Sequence, residues 1–408
     1  MRRVGTAVVG SVLIVLGATA CPWPPPSTFV VTTVADGPDA DPGDGTCEMT
    51  TGEGDCSLRA AVMESNATDP VVPTTVELTG DTTYVLSVIG IDDEGAAGDL
   101  DVTRDVSIHG NGATITGVAA EIGVFEHHAG TLLVDHATLT GDSGWNYEHE
   151  FERWVGGVLL NHAHAQFADV VIEGHAQYGG TAIHQTGGVT TLLRSRVAGS
   201  TAHALQTTNA AITIEGGELN VFHSEVADNV THTRYFGPFA GIRIEAGTAR
   251  IIGSTVANHF VVEEGPGLVL DGDGIVNAGS VEIIQSTIVG NRHDVAGTGT
   301  AVVSGSVLGT CAVPITSGGH NLDRDSSCLG ASDPSDVHTT DAVVGPLGFH
   351  GGGTRTFVPL SGSPVVDSIP AGTAVLCIGT TSTDQRGTAR PVGAACDRGA
   401  VERTPEDP

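Results

Sequence analysis

A short pattern of strand and turn recurs along the chain from Thr114 onward. Each copy has a short alternating apolar strand, a small residue, a final apolar residue, and then a Gly, Asn or Asp turn. The final apolar residues of successive copies are Ile115, Leu139, Ile172, Val197, Val226, Val256, Ile288 and Val307. Their spacing averages about 27 residues, a period typical of stacked units that bury their apolar faces only against neighbouring units. The repeat therefore predicts a solenoid.

The residues inside each repeat favour a β-helix over other solenoids. The strands are short and rich in β-branched residues, the turns are rich in Gly, Asn and Asp, and no helical periodicity lies between them. Leucine-rich repeats would show regular leucines, and propeller blades would repeat at about 40 to 50 residues. We therefore predict an all-β, right-handed parallel β-helix, a pectate-lyase-like solenoid, over residues 76–310. Asn229 and Asn291, with Asn258 one place earlier, predict a partial ladder of turn amides.

A solenoid exposes unpaired backbone at both ends, so both ends need caps. Residues 29–75 are predicted to form the N-terminal cap, where Ser57 is placed to cap a short helix. Leu58, Ala61 and Val62 would give that helix an apolar stripe facing the first coil. Residues 311–403 are predicted to form a disulfide-bonded C-terminal cap, followed by a tail over 404–408.

Six of the seven cysteines fall in close pairs along the sequence. The pairs are Cys47 with Cys56, Cys311 with Cys328, and Cys377 with Cys396. Six cysteines allow many pairings, so local pairing is a hypothesis. Local pairs in an exported chain would fit an oxidising compartment.

The N-terminus has the pattern of an export signal. Arg2 and Arg3 precede an apolar run that is too short to cross a bilayer, so residues 1–20 are predicted to be a signal peptide. Cys21 is then either the lipidated first residue of a lipoprotein or an unpaired cysteine beside the cleavage point. Residues 21–28 contain a Pro-rich spacer between this anchor and the folded body.

The chain is strongly acidic, with 48 Asp and Glu residues against 17 basic ones and a net charge of −31. Such a surface repels nucleic acid and anionic lipid, so nucleic-acid binding is excluded and membrane contact is expected only through a lipid at Cys21. The charge itself indicates solubility or adaptation to salt more than a dedicated cation-binding role.

Both ends of the chain resemble modules of bacterial surface β-helix proteins. Thr32–Asp36, Asp44–Cys47 and Cys56–Asn66 resemble a CSLREA-type N-terminal region, although Ala60 replaces its Glu. The C-terminal part is similar to the choice-of-anchor Q domain, in the elements Val344–Leu347, Gly351–Thr354, Leu360, Gly362–Pro364, Asp367, Asp384–Gly387, Arg390–Pro391 and Cys396–Glu402. Gly318–Leu322 with Cys328 is similar to the stretch that precedes that domain. The resemblance implies a secreted or cell-surface β-helix and does not imply catalysis.

One predicted loop is rich in aromatic and ionisable residues. Its candidate ligand-contact residues are Trp145, Tyr147, Glu148, Glu150, Glu152 and Trp154. Aromatic faces stack on sugar rings and carboxylates bind hydroxyls, so this loop is a candidate glycan contact. The alternative is that its tryptophans only cover the flank of the coils.

Two groups of residues were considered as metal ligands. Asp36, Asp39, Asp41 and Asp44 crowd one loop and are weak candidates for Ca²⁺, although their spacing is not that of an EF-hand. The alternative is a soluble capping loop. The pairs His127-His128 and His162-Ala-His164 could supply ligands, but adjacent or alternate positions do not by themselves converge on one ion. No other cofactor is expected.

The enzyme hypothesis has little support from the residues. The motifs of pectin hydrolases are absent, and Asp135-His136 only faintly resembles a pectate-lyase motif. Asp384–Gly387 and Asp397 are interpreted as a structural turn and ion-pair network. We therefore assign no catalytic residues and predict a structural or adhesive β-helix that binds a polysaccharide or a surface protein along its lateral face. The alternative is a polysaccharide lyase or glycoside hydrolase, which would need convergent carboxylates in a groove.

Overall fold

The computed structural model describes residues 27–69, 72–90, 92–117, 123–141, 157–177, 182–204, 210–233, 240–263, 268–331, 333–341 and 343–408. The predicted signal peptide, Cys21, most of the Pro-rich spacer and the predicted aromatic loop over 145–154 lie outside these residues.

Three long, largely parallel sheets form the body of the protein, which is the predicted parallel β-helix. The first sheet contains, in order, Ser27–Val30, Thr74–Glu77, Val106–His109, Thr131–Asp135, His164–Ala168, Val189–Leu193, Glu218–Phe222, Thr248–Ile252, Ser280–Ile284, Thr300–Ser304 and Thr316–Ser317. The second sheet contains Leu100–Val102, Phe125–His127, Leu159–Asn161, Ile183–Gln185, Ala210–Ile214, Ala240–Ile244, Asp273–Asn277 and Val295–Gly297.

From Thr74–Glu77 onward, each strand of the first sheet is followed in sequence by a strand of the third sheet, which divides into two arms. Its main arm contains Thr83–Leu86, Thr114–Gly117, Thr138–Gly141, Val171–Gln177, Arg196–Ala198, Glu225–Ala227, Thr255–Ala257, Thr287–Val289, Val307–Leu308, Leu322–Asp323 and Val337–His338. Its side arm contains Thr201–Ala204, Val230–Thr233, Phe260–Glu263 and Val269–Asp271, the last of which pairs antiparallel. Parallel pairing thus begins at Ser27 and reaches His338, beyond both limits predicted for the β-helix.

The predicted stack of apolar residues is present, with one correction. The seven reference residues from Ile115 to Ile288 face one another in consecutive coils. The next partner of Ile288 is Leu308 and not the predicted Val307. Because strand side chains alternate between faces, a slip of one residue moves a side chain from the core to the outside. Val307 accordingly packs outward, in a cluster with Val365 and Phe357.

A ladder of buried serines runs along the corner between the first and third sheets. The backbone N–H of each serine donates a hydrogen bond to the side-chain hydroxyl of the serine in the next coil, at 3.0 to 3.2 Å. The ladder contains Ser195, Ser224, Ser254, Ser286 and Ser306, and it ends on the amide oxygen of Asn321. These serines are the small residues of the repeat, and their hydroxyls satisfy N–H groups that the bend removes from the sheet ladders.

The N-terminal cap contains one α-helix, Leu58–Ala67, which Ser57 caps as predicted by accepting a hydrogen bond from the Ala60 N–H. Leu58, Ala61 and Val62 join the same core cluster as the coils, so the helix closes the end of the apolar column.

The C-terminal module, residues 343–408, packs beside the coils. It contains two antiparallel pairs, Val344–Gly348 with Thr356–Pro359 and Ile369–Pro370 with Ala395–Cys396, and a short 3-10 helix at Gly379–Thr381. Its contacts run from Glu225 to Asn321, which covers the outer face of the third sheet over five coils. Small outward side chains such as Ala227 and Ala257 let Phe357 and Val365 approach that face. The module therefore covers a flank of the solenoid, where the sequence predicted only an end cap.

All three predicted disulfides are present: Cys47–Cys56, Cys311–Cys328 and Cys377–Cys396. The first lies in the N-terminal cap, the second at the last coils, and the third in the C-terminal module. Among the described residues, no helix is both long enough and apolar enough to span a membrane.

Candidate functional site

The outer face of the first sheet carries one continuous row of side chains along the solenoid. The row contains Thr28, Thr75, Ser107, Leu133, Gln166, Thr191, Asn220, Arg250, Glu282, Val302 and Thr316. Coils that stack at about 4.8 Å make this row nearly 50 Å long. Hydroxyl and amide groups dominate it, and its one carboxylate, Glu282, pairs with Arg250 at 3.0 Å.

The neighbouring outward row of the same sheet is partly covered. Ile252 and Ile284 pack against Ile369 and Leu376 of the C-terminal module, with Phe222 at the edge of that cluster. Toward the N-terminus this row is polar, and His109 pairs with Asp135 at 2.8 Å. The first sheet therefore offers an open polar face over its first coils and a narrower one over its last coils.

A second feature, the acid–histidine cluster, lies at the end of the second sheet. It consists of Asp101, Glu126, His128 and His162, which come from three consecutive coils. Asp101 and Glu126 face each other in adjacent strands, while His128 and His162 each follow a strand by one residue at the same register. The imidazole rings of the two histidines stack with centroids 5.8 Å apart.

The polar atoms of this cluster converge. His128 Nε2 lies 2.9 Å from Asp101 Oδ1 and 3.8 Å from Glu126 Oε1, and His162 Nε2 lies 3.9 Å from the same Glu126 oxygen. His162 Nδ1 is 2.5 Å from the Thr186 hydroxyl. A proton on Nδ1 donated to that hydroxyl leaves the Nε2 lone pair facing Glu126.

Burial dominates the electrostatics of the cluster. Desolvation raises the pKa of Asp101 to about 6, while the hydrogen bond and charge of His128 oppose the rise and the charge of Glu126 adds to it. The Asp101 side chain is fully buried, and within the described part of the chain its Oδ2 atom has no hydrogen-bond partner. Buried carboxylate oxygens normally have partners, so this orphan atom needs an explanation.

The N-terminal cap holds the strand that carries Asp101. Asn66 of the α-helix donates to the Asp101 carbonyl at 2.7 Å, and Arg59 donates to the Asp99 carbonyl at 3.1 Å. Asp99 also belongs to a second group of converging carboxylates, together with Asp101 and Glu126. The strand is thus fixed from outside the coil.

The structure separates Asp36 from the other three predicted Ca²⁺ candidates, which are linked to one another by local hydrogen bonds. Asp36 forms an ion pair with Arg59 at 2.8 Å and accepts the N–H groups of Ser87 and Val88. Asp39 accepts from the N–H groups of Asp41 and Glu48, and Asp44 accepts from Thr46. The groups that could hold a metal among the described residues include none of these four.

The remaining predicted residues have structural contacts. Asp384 binds Arg386 at 3.0 Å, and Asp397 accepts the N–H groups of Asp367 and Arg403, as expected for a turn and ion-pair network. His127 is buried and bonds Asn161 at 2.8 Å, and His164 lies on the first sheet. The candidate ligand residues Trp145, Tyr147, Glu148, Glu150, Glu152 and Trp154 lie outside the described residues.

Sequence reasoning considered His128 and His162 but did not bring them together. In the sequence, His128 is adjacent to His127 and His162 is close to His164. In the structure, Asn161 pairs with His127 in the next coil, so the residues that follow them, His162 and His128, become neighbours. This register follows from the stacking of the second sheet, which the apolar repeat on the third sheet does not determine. Comparison with protein-family models, with curated protein sequences and with solved structures found no match.

Proposed function

We propose that this protein is an exported structural or adhesive β-helix that binds an extended ligand, a polysaccharide or a surface protein, along its first sheet. The observation that carries this proposal is the outward row from Thr28 to Thr316, in which seven of the eleven side chains carry a hydroxyl or amide group. A flat repetitive row suits a ligand that itself repeats along its length.

The carboxylates of this face support binding more than cleavage. Asp135 is paired with His109, and Glu282, which lies five coils further along the sheet, is paired with Arg250 in the adjacent coil. Glycoside hydrolysis needs two carboxyl groups on either side of one bond, at about 5 to 10 Å. The ion pairs of Asp135 and Glu282 favour a binding role, with a carbohydrate-active enzyme as the alternative.

A polysaccharide panel tests both classes at once. The purified protein is incubated with each polysaccharide, and both retention and new reducing or unsaturated ends are recorded. We expect retention without products. New products would support the enzyme instead, and no retention of any polysaccharide would limit the ligand to protein.

Variants of the outward row locate the binding surface. Gln166→Arg and Thr191→Arg place long charged side chains in the middle of the row, so ligand affinity should fall at least ~10-fold. Thr83→Arg is the matched control, because Thr83 is exposed on a strand of the third sheet. Equal affinity in all three variants would show that the ligand binds elsewhere, with the loop over 145–154 as the next surface to test.

We further propose that the protein reaches the cell surface as a lipoprotein anchored at Cys21. The apolar N-terminal run, the odd cysteine and the three local disulfides support export. The resemblance of both chain ends to surface β-helix modules supports the same location. In a host that lipidates exported proteins, the protein should partition into detergent and Cys21→Ser should not; equal partitioning would favour full secretion.

A further inference from the structure

The acid–histidine cluster contains a feature that ordinary packing does not explain. Asp101 is buried beside Glu126, yet its Oδ2 atom has no hydrogen-bond partner among the residues that the structure describes. Leaving a buried charged oxygen unpaired costs several kcal/mol in proteins unless a cation or proton compensates it. The two histidines on the open side of the cluster are positioned to share such a cation.

We propose that Asp101, Glu126, His128 and His162 bind one divalent transition-metal ion of the zinc class between adjacent coils of the β-helix. The ligands would be Nε2 of both histidines and one oxygen of each carboxylate. Such a set has the nitrogen and oxygen donors that zinc accepts in tetrahedral sites.

Glu126, His128 and His162 each place one ligand atom within 4.8 Å of the others, close enough to share a single ion. Bonds of about 2.1 Å in a tetrahedron place ligand atoms about 3.4 Å apart. The separations in the cluster are 2.9, 3.8 and 3.9 Å, which lie on both sides of that value. Glu126 and the two histidines therefore form the core of the site, and Asp101, which contacts His128 through Oδ1, would complete it by turning its carboxylate toward the ion. The metal would replace the proton that His128 Nε2 and Asp101 share.

The groups around the ligands have the roles expected of an outer shell. Thr186 binds the Nδ1 atom of His162 and orients its ring. The strand that carries Asp101 is held by Asn66, so the carboxylate is fixed before a metal arrives. The side chains of His128 and His162 remain 28% and 35% exposed, which leaves an entry path from solvent.

Two imidazoles in the ligand set decide the class of metal. Imidazole suits zinc, cobalt and nickel, whereas calcium and magnesium prefer oxygen ligands alone. The site should therefore take Zn²⁺ and Co²⁺ in preference to Ca²⁺.

The experiment uses the whole purified chain after removal of metals with a chelator. Zn²⁺ binding is measured by calorimetry, and Co²⁺ binding by the absorption bands of the tetrahedral ion. We expect one tight site with these bands in the wild-type protein. His162→Gln and Glu126→Gln should each weaken Zn²⁺ at least ~10-fold and remove the tetrahedral Co²⁺ bands.

His293→Gln is the matched control, because His293 pairs with Asp273 at 2.8 Å on the same sheet but outside the cluster. It should leave the tight site unchanged. His162 is partly exposed at the edge of the cluster, so His162→Gln should keep a melting temperature close to that of the wild type without metal. The proposal is overturned if the wild-type protein binds no Zn²⁺, if tight binding survives in the His162→Gln/Glu126→Gln double variant, or if Ca²⁺ binds more tightly than Zn²⁺.

Discussion

Arg355 in the C-terminal module binds Glu225 on the third sheet, although 130 residues separate the two in sequence. The guanidinium Nε donates to Glu225 Oε1 at 2.7 Å, and the Arg355 backbone N–H donates to Oε2 at 2.6 Å. The Glu225 side chain is fully buried, with Arg196 as a more distant second cation at 3.8 Å. This pair joins the module to the flank of the solenoid.

Arg355→Met should destabilise the protein strongly, because it leaves the buried Glu225 carboxylate with only the distant Arg196. We expect the free energy of unfolding to fall by about 3 kcal/mol, the usual loss when a buried ion pair is broken. Urea denaturation measures this change. Arg355→Met/Glu225→Gln removes the uncompensated charge and should recover part of this loss. Arg243→Met, which breaks the surface pair with Glu245, should cost less than about 1 kcal/mol. Equal losses for both single variants would contradict a docking role for Arg355.

Ser254→Ala should show how much the serine ladder contributes to the free energy of unfolding. The substitution removes the acceptor of the buried Ser224 N–H, so the free energy of unfolding should fall by about 1 to 3 kcal/mol. Ser280→Ala is the control, since Ser280 is exposed at the start of its strand, and its effect should stay within about 0.5 kcal/mol. If chemical denaturation gives the same midpoint for both variants, the ladder contributes little.

His259 interrupts the corner ladder predicted from Asn229 and Asn291, because it occupies their register in the intermediate coil. Neither of its ring nitrogens has a hydrogen-bond partner of normal geometry among the described residues. Burial lowers the pKa of His259 to about 4, against a smaller opposing effect of Asp228.

His259→Asn should therefore change how stability depends on pH. Between pH 6.5 and about 4 the unfolded chain binds a proton at His259 that the folded chain excludes, so this residue makes the wild-type protein less stable as pH falls. The effect amounts to at most about 3 kcal/mol. Calorimetry of both proteins from pH 7 to pH 4 should show the variant gaining stability relative to the wild type. Parallel curves would contradict a neutral buried His259.

Arg59→Met should loosen the N-terminal cap. Arg59 is fully buried, binds Asp36 and donates to the carbonyls of Gly95, Gly98 and Asp99. The substitution leaves all these acceptors short of a donor, so we expect a loss of about 3 kcal/mol or more. Hydrogen exchange should become faster in the helix Leu58–Ala67. Arg104→Met, at an exposed arginine, serves as the control and should leave exchange in the helix unchanged.

The sequence alone was sufficient to predict the solenoid, its stacking register over seven coils, the helix capped by Ser57, and the local disulfides. These features depend on short-range patterns, because the spacing of apolar residues determines which side chains face the core. The register failed only at Val307, where the neighbouring C-terminal module supplies a second apolar environment that makes an outward valine favourable.

Tertiary structure decided the rest. The position of the C-terminal module depends on pairs such as Arg355 with Glu225, and the acid–histidine cluster depends on His128 and His162 meeting across coils. Neither relationship is visible in sequence, because the length of each coil varies and only stacking shows which turn residues are neighbours. The repeated apolar pattern determines the stacked coils of the β-helix. Contacts between distant parts of the chain determine which surfaces of the β-helix are open for binding.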